Sequence, residues 1–124
     1  MSAWSPDELE RIGRAAELQI ASRRIDGSPR RYVTIWVVRS GDDVYVRSAY
    51  GPNSGWYRRA KASAVGRIRS GGVERDVSFE EAEPDRADAV TAAYHAKYDQ
   101  YGRAIVATVV SPEAERLTLR VVPR

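Results

Sequence analysis

The sequence contains no cysteine, and one histidine occurs among its 124 residues. The absence of cysteine excludes disulfides, thiolate nucleophiles, iron–sulfur clusters and cysteine zinc sites. A single histidine excludes a metal site built from several imidazoles. The longest apolar run, Ala104 to Val110 with Thr108 inside it, is far shorter than the ~20 residues of a membrane-spanning helix. The N-terminal residues lack the apolar segment of a secretory signal, so we expect a cytoplasmic protein with no membrane partner.

The length predicts a single domain over residues 1–124. Hydrophobic residues make up 43% of the chain and charged residues 30%, a composition typical of an ordinary globular protein. The net charge of +3 is unevenly distributed, since residues 1–75 carry a balance of +6 and residues 76–124 a balance of −3. Arginine accounts for 18 of the 20 basic residues. It favours bidentate contacts with phosphate or carboxylate, although genomic base composition explains the same enrichment.

Two long helices and one short helix are predicted. Ser5 and Glu8 form the pattern of a capping box around Pro6, so a helix should cover residues 6–18. Trp4 and Leu9 stand at the positions of a hydrophobic staple. The second long helix should run from Pro84 to about Gln100, and a short helix should cover residues 56–62. The predicted strands are 19–25, 31–39, 44–50, 65–69, 73–79, 103–110 and 116–122.

The predicted strands are joined mostly by tight turns. Turn-forming residues occupy positions 26–29, 40–43 and 70–72. Successive hairpins predict an antiparallel sheet, and seven strands in one small domain predict closure into a β-barrel with two flanking helices. Residues 31–39 are apolar on both faces, which predicts a central strand covered on both sides and favours a homodimer.

The main concentration of candidate binding residues lies within residues 45–69. Arg47 and Ser48 end a strand, a glycine-containing loop follows, and the short helix then begins. Free amides, a helix N-terminus and cations suit a phosphate, with charge from Arg47, Arg58 or Lys61. Trp56 or Tyr57 would cover a flat ring. The alternative is a solvated basic face with Trp56 in the core. Nucleic acid is a further interpretation, but the low net charge argues against it and we expect no such partner.

Two other groups of residues have structural and functional interpretations. His95 and Asp99 are four residues apart and should form an exposed helix pair, with general acid–base catalysis as the alternative. Tyr94, Tyr98 and Tyr101 are weak catalytic candidates that belong more naturally to the core. No residue pattern indicates a metal site.

Part of the sequence resembles known families. The segments that carry the resemblance are Ile35–Val38, Gly41–Ser48, Gly55–Ala60, Gly66–Ile68 and Gly71–Val73. Over Trp4 to Phe79 the chain resembles a family of small bacterial domains of unknown function. More distantly, it is similar to deazaflavin-dependent nitroreductases, which belong to the FMN-binding split barrels, with pyridoxamine-phosphate oxidase as a remoter relative.

The resemblance implies a homodimeric antiparallel split β-barrel with a cofactor cleft. It places the cofactor phosphate near the segment 47–51 and implies Arg47, Ser48, Trp56, Tyr57 and Lys61 as cofactor-binding residues. Tyr94, Tyr98 and Tyr101 match more loosely the substrate-facing tyrosines of the nitroreductases. Residues 26–31 depart from the Gly-Arg-x-Ser-Gly-like hairpin of that family.

Two hypotheses for function follow. The first is an oxidoreductase of unknown substrate that binds FMN or a deazaflavin, in which the cofactor supplies the hydride chemistry and the protein orients it. The second is a barrel without cofactor or catalysis, which uses the same cleft to bind a small ligand or a protein partner.

Overall fold

Seven strands and five α-helices make up the fold in a computed structural model, which describes residues 3–124. The helices are α1 (Pro6–Arg14), α2 (Gly55–Ser63), α3 (Ala87–Tyr98), α4 (Arg103–Val110) and α5 (Pro112–Arg116). The strands are β1 (Leu18–Ser22), β2 (Val33–Ile35), β3 (Val38–Ser40), β4 (Asp43–Arg47), β5 (Val65–Ser70), β6 (Val73–Glu81) and β7 (Thr118–Pro123). No helix within the described residues has the length and apolarity needed to cross a membrane.

All strand pairs are antiparallel, and the sheet order is β2-β1-β5-β6-β7-β4-β3. The two outermost strands, β2 and β3, are consecutive in the chain and are separated by Trp36 and Val37 alone. The three Cα–Cα steps from Ile35 to Val38 span at most about 11 Å, so the two edges of the sheet must lie close together at this point. The sheet therefore curls into a half-barrel, which confirms the predicted antiparallel split-barrel class.

The predicted single strand over residues 31–39 is wrong, because this segment forms the two edge strands β2 and β3. Between them the backbone of Val37 leaves the strand ladder and contacts α3 instead. Its N–H donates to the Tyr98 hydroxyl at 3.1 Å, and its carbonyl accepts from Lys97 Nζ at 2.7 Å. A buried peptide group needs hydrogen-bond partners, and here helix side chains replace a neighbouring strand.

The predicted strand over residues 103–110 is also wrong, because these residues form α4. Val106 and Val109 are buried three residues apart, whereas Ile105 and Thr108 are exposed, which is a helical pattern of burial. Gly102 has a φ of 119° and separates α4 from the end of α3. Packing against α3 thus outweighs the β-propensity of the branched residues.

The interior of the half-barrel holds the larger core cluster. Val44 and Val46 of β4 point inward, and Leu9 and Ile12 of α1 pack against them. The predicted capping box is present, since the Ser5 hydroxyl accepts from the Glu8 N–H at 3.1 Å and the Glu8 carboxylate accepts from the Ser5 N–H at 2.9 Å. The sequence pattern at the start of α1 therefore fixes how the helix enters the barrel.

A second cluster lies on the outer face of the sheet beneath α3 and α4. Tyr45 faces outward between the inward-pointing Val44 and Val46 and joins this cluster. Its other buried members are Val38, Val90, Tyr94, Tyr98, Val106 and Val109. The second predicted helix is shorter than expected, because short 3₁₀ turns, Pro84–Arg86 and Asp99–Tyr101, flank α3.

Candidate functional site

Arg47, the first predicted phosphate ligand, is buried at the end of β4, with 3% of its surface exposed. Its Nε donates to Thr118 Oγ1 at 2.9 Å, and its Nη1 donates to Thr91 Oγ1 at 2.8 Å and to the Val109 carbonyl at 2.9 Å. Its Nη2 donates to the Ala87 carbonyl at 3.0 Å. Burial lowers the pKa of this guanidinium. Four of its five N–H donors are therefore used to join β4, β7, α3 and α4.

Ser48, Tyr57 and Lys61 also have partners within the fold. The Ser48 hydroxyl is buried and donates to the Gly51 carbonyl at 2.6 Å. The Lys61 ammonium is 2.6 Å from the carboxylate of Glu81, and the hydrogen bond to Glu81 raises its pKa. Tyr57 is buried in the barrel interior, and this desolvation raises the pKa of its phenol. The polar atoms of Arg47, Ser48 and Lys61 are therefore largely engaged within the fold.

Trp56 lines an aromatic cleft of about 250 Å³ beside the crossing between β2 and β3. Its other aromatic residues are Trp36 and Tyr50, and Ile105 of α4 lies opposite. Arg47 forms part of the wall. Tyr50 and Ile105 are strongly exposed, at 86% and 52%. We refer to this surface as the aromatic cleft, and it suits a flat apolar group or an apolar partner surface.

The three candidate catalytic tyrosines differ in accessibility. Tyr94 and Tyr98 have no exposed surface, and Tyr101 is 53% exposed. Burial raises the pKa of Tyr98 to about 12 and raises that of Tyr94 further. The Tyr98 ring stacks on Trp36 with ring centroids 4.0 Å apart. Tyr94 and Tyr98 thus lie in the core beneath the aromatic cleft.

His95 and Asp99 form the predicted helix pair. The imidazole Nδ1 is 2.9 Å from the Asp99 carboxylate, and both side chains are about half exposed. They border a cleft of about 370 Å³ together with Arg103. The other residues that line it are Val106, Ala107 and Val110.

A second cleft, which we call the arginine cleft, is not predicted by the sequence analysis. It has a volume of about 580 Å³ and lies between the β1–β2 loop and α2. Arg23, Arg24 and Arg30 line it from the loop, and Arg58 and Arg59 line it from α2. The sequence signal was three adjacent arginine pairs, 23–24, 30–31 and 58–59. Only the packing of α2 against β1 brings them to one surface.

The arginines of this cleft are not equivalent. Arg23 pairs with Asp76 at 3.2 Å, and Arg24 donates to the Pro29 carbonyl at 2.9 Å within the loop. Among residues 3–124, no carboxylate lies within 4 Å of the side-chain nitrogens of Arg24, Arg30, Arg58 or Arg59. The Nε of Arg30 is buried and has no hydrogen-bond partner. The cleft therefore combines concentrated positive charge with an unsatisfied buried donor.

The family is decided by the match of residues 8–121 to DUF2255, described as an uncharacterized protein conserved in bacteria. The chain belongs to the DUF2255 family. Among curated proteins, no sequence matches it significantly. The predicted resemblance to a bacterial family of unknown function is therefore confirmed.

Solved structures share the fold of this DUF2255 chain at low sequence identity. An F420-H2-dependent reductase, FDR-A, has a TM-score of 0.62 and 17% identity, covering 86% of this chain and 93% of its own. An FAD-binding protein from Mesorhizobium loti has a TM-score of 0.58 and 16% identity, with 98% and 91% covered. The heme storage protein HutZ from Vibrio cholerae has a TM-score of 0.63 and 14% identity, with 100% and 92% covered. Proteins with this fold thus include reductases, flavin binders and a heme storage protein.

Proposed function

We propose that this DUF2255 chain binds a flavin or deazaflavin cofactor through its phosphate and acts as an oxidoreductase. The observation that carries the proposal is the arginine cleft, where Arg24, Arg30, Arg58 and Arg59 have no carboxylate partner within 4 Å among the described residues. Guanidinium groups form bidentate, charge-assisted hydrogen bonds with phosphate oxygens. A phosphate group would supply negative charge to the four arginines that have no carboxylate partner.

Two details of the cleft fit a phosphate group. A buried donor without a partner is costly, and a phosphate oxygen would satisfy the Nε of Arg30. The guanidinium of Arg59 folds back over Gly55 at the start of α2, where Nη1 lies 2.9 Å from the position that a Cβ would occupy. This places its charge beside the free amides of the first helical turn, which also favour an anion.

The helix α2 links the arginine cleft to the aromatic cleft. Arg58 and Arg59 line the first, and Trp56 lines the second from the same helix. We retain Trp56 as the residue that contacts the ring system, because an aromatic face packs against a flat ring. When bound, the cofactor would supply hydride transfer, while this chain would hold the phosphate and restrict water around the ring.

We assign Arg47, Ser48, Tyr57 and Lys61 a positioning role instead of direct contact with phosphate or ring. The hydrogen bonds of Arg47 and Ser48 fix the end of β4 and the following loop. The ion pair of Lys61 with Glu81 joins α2 to β6. The Lys61 contact therefore positions α2, which carries Trp56 and the two cleft arginines, whereas Arg47 stabilises the packing of β4 against β7, α3 and α4.

The FMN and deazaflavin predictions are tested by fluorescence titration of the purified protein with FMN and with a deazaflavin cofactor. The test variant is Arg58→Gln/Arg59→Gln, which keeps good helix formers in α2. The matched control is Arg11→Gln/Arg116→Gln, which removes two arginines that do not line the cleft. We expect saturable binding to the wild type and the control, and affinity at least about tenfold weaker in the test variant, because each charge-assisted bond contributes about 1.5–3 kcal/mol.

Two outcomes would contradict the proposal. Equal loss of affinity in both double variants would indicate a nonspecific effect of net charge. No binding of either cofactor to the wild type would favour the cofactor-free ligand- or partner-binding barrel.

We also propose a homodimer formed through the surface around the aromatic cleft. Tyr50 and Ile105 are large, exposed residues on this surface, and Trp36 lines the same cleft. Exposed clusters of this kind favour burial against a partner, and a second copy of the chain presents the same apolar surface.

A further inference from the structure

A stack of three aromatic rings connects the aromatic cleft to the protein surface. The indole of Trp36, which lines the cleft, lies parallel to the Tyr98 ring, with a centroid distance of 4.0 Å and an interplanar angle of 5°. The ring centroid of Tyr101 is 6.4 Å from that of Trp36 and 6.0 Å from that of Tyr98. Electron transfer between side chains slows steeply with distance, so rings this close are suited to exchange electrons.

The buried ring of the stack, Tyr98, is poorly suited to hold an oxidised state. A phenol forms a stable radical only when its proton can leave, and Tyr98 has no exposed surface. Its hydroxyl lies 2.9 Å from the Ala16 carbonyl and 3.0 Å from the Val37 carbonyl, and a carbonyl oxygen is too weak a base to take the proton. The Lys97 Nζ lies 5.2 Å from the centroid of the ring, and its charge disfavours positive charge there.

Tyr101 has the opposite properties. It is 53% exposed, so solvent has access to this end of the stack. None of the cation–ring contacts among residues 3–124 involves it. Tyr94 also adjoins Tyr98, at a centroid distance of 6.0 Å, but it is fully buried and the Arg47 guanidinium lies 5.5 Å from its ring centroid. Oxidation is therefore more favourable at Tyr101 than at either buried phenol.

The other two tryptophans provide an internal comparison. Trp56 also lines the aromatic cleft, but its ring contact is an edge-on one with Tyr57, at 5.9 Å, and Tyr57 is only 4% exposed. Trp4 contacts no other aromatic ring among the residues that the structure describes. Within residues 3–124, Trp36 is therefore the one tryptophan whose ring contacts an exposed phenol.

We infer that Trp36 and Tyr101 form a one-electron relay, which carries an oxidising equivalent from the aromatic cleft to the surface. One electron passes from the Tyr101 ring to an oxidised Trp36. The indole nitrogen regains the proton that it lost on oxidation, and the Tyr101 phenol releases its proton to solvent. A small reductant in solution, such as a thiol, then returns one electron to Tyr101, and solvent returns the proton.

The oxidant is a one-electron acceptor in the aromatic cleft, a class that includes a flavin excited by light. The inference rests on the proposed function for the identity of this oxidant alone. The path itself belongs to the side chains of the protein, so it is testable without a cofactor.

Pulse radiolysis of the full chain in azide solution tests the relay, because azide radicals oxidise indoles in preference to phenols. The absorption of the indolyl radical should decay as that of the tyrosyl radical grows, at one first-order rate that is independent of protein concentration. Tyr101→Phe should remove most of the tyrosyl growth and prolong the indolyl signal. The matched control is Tyr50→Phe, since Tyr50 is 86% exposed and lines the same cleft but has no ring contact among the described residues.

The variant Trp36→Phe tests the other end of the relay. It should also lose the tyrosyl growth, although Trp4 and Trp56 are still present to be oxidised. A wild-type rate that rises with protein concentration would overturn the relay, and this measurement requires no variant to fold. Unchanged growth in Tyr101→Phe, or a loss in Tyr50→Phe instead, would overturn the assignment of Tyr101. Because no cofactor is added, failure of the relay and failure of flavin binding are separate results.

Discussion

The hydroxyl of Tyr98 accepts the backbone N–H of Val37 at 3.1 Å. Val37 lies at the crossing where the chain passes from one edge of the sheet to the other. The same hydroxyl is within 2.9 Å of the Ala16 carbonyl, so it connects α3, the crossing and the segment after α1. The side chain of a helix residue thus provides the hydrogen-bond partner that a neighbouring strand provides elsewhere in the sheet.

Replacement of Tyr98 by Phe should destabilise the protein. It leaves the buried N–H of Val37 without an acceptor, which costs about 1–3 kcal/mol. Tyr101→Phe is the matched control, because Tyr101 is 53% exposed. Urea denaturation measures both free energies of unfolding. A Tyr98→Phe protein as stable as the control would show that this hydrogen bond is not needed at the crossing.

The variant Arg47→Lys should lose stability and keep cofactor affinity. Lysine lacks the fork geometry needed to reach Thr118, Thr91 and two carbonyls at once, so we expect a loss of about 2–4 kcal/mol from unsatisfied buried acceptors. Denaturation and FMN titration of the folded variant measure the two effects. A loss of affinity with unchanged stability would instead support the interpretation of Arg47 as a phosphate ligand.

The depressed pKa of Lys97 should make stability depend on pH. In the unfolded chain its pKa is near 10.5, and in the folded protein it is about 8. Between these values the unfolded state binds more protons, so the free energy of unfolding should rise with pH. Denaturation from pH 7.5 to 9.5 should show this rise in the wild type relative to Lys97→Met. Parallel curves for the two proteins would contradict the shift.

The proposed dimer predicts a specific effect of charge at the aromatic cleft. Ile105→Glu places a carboxylate in the exposed apolar surface and should convert a dimer to monomer in sedimentation velocity. Ile25→Glu is the control, because Ile25 is fully exposed in the β1–β2 loop and does not line the aromatic cleft. A wild type that is monomeric at high concentration would rule out this interface.

The sequence predicted the local features of the fold better than the long-range ones. The capping box at Ser5, the Gly71–Gly72 turn and the alternating strands β5 and β6 depend on neighbouring residues. The break at residues 36–37 depends on Tyr98 and Lys97, about 60 residues later. The helix α4 depends on packing against α3 and on Arg47, which binds its last-turn carbonyl at Val109. Propensity could not reveal these contacts.

The candidate site was predicted only in part, for a similar reason. The segment containing Trp56 and Arg58 was identified as a binding region, and both residues line clefts. Burial of Arg47 by four internal acceptors could not be read from its position after a strand. Arg24 and Arg30 lie outside the predicted region 45–69, and Arg59 is only one of its cations, because the cleft forms when the β1–β2 loop folds beside α2.

A comparison of FMN with riboflavin tests directly whether the arginine cleft binds the phosphate of a flavin-type cofactor. The two ligands share the ring system and differ in the phosphate. We predict that the wild type binds FMN at least about tenfold more tightly than riboflavin, and that Arg58→Gln/Arg59→Gln removes this preference. Equal affinities of the wild type for FMN and riboflavin would show that the arginine cleft does not bind the phosphate.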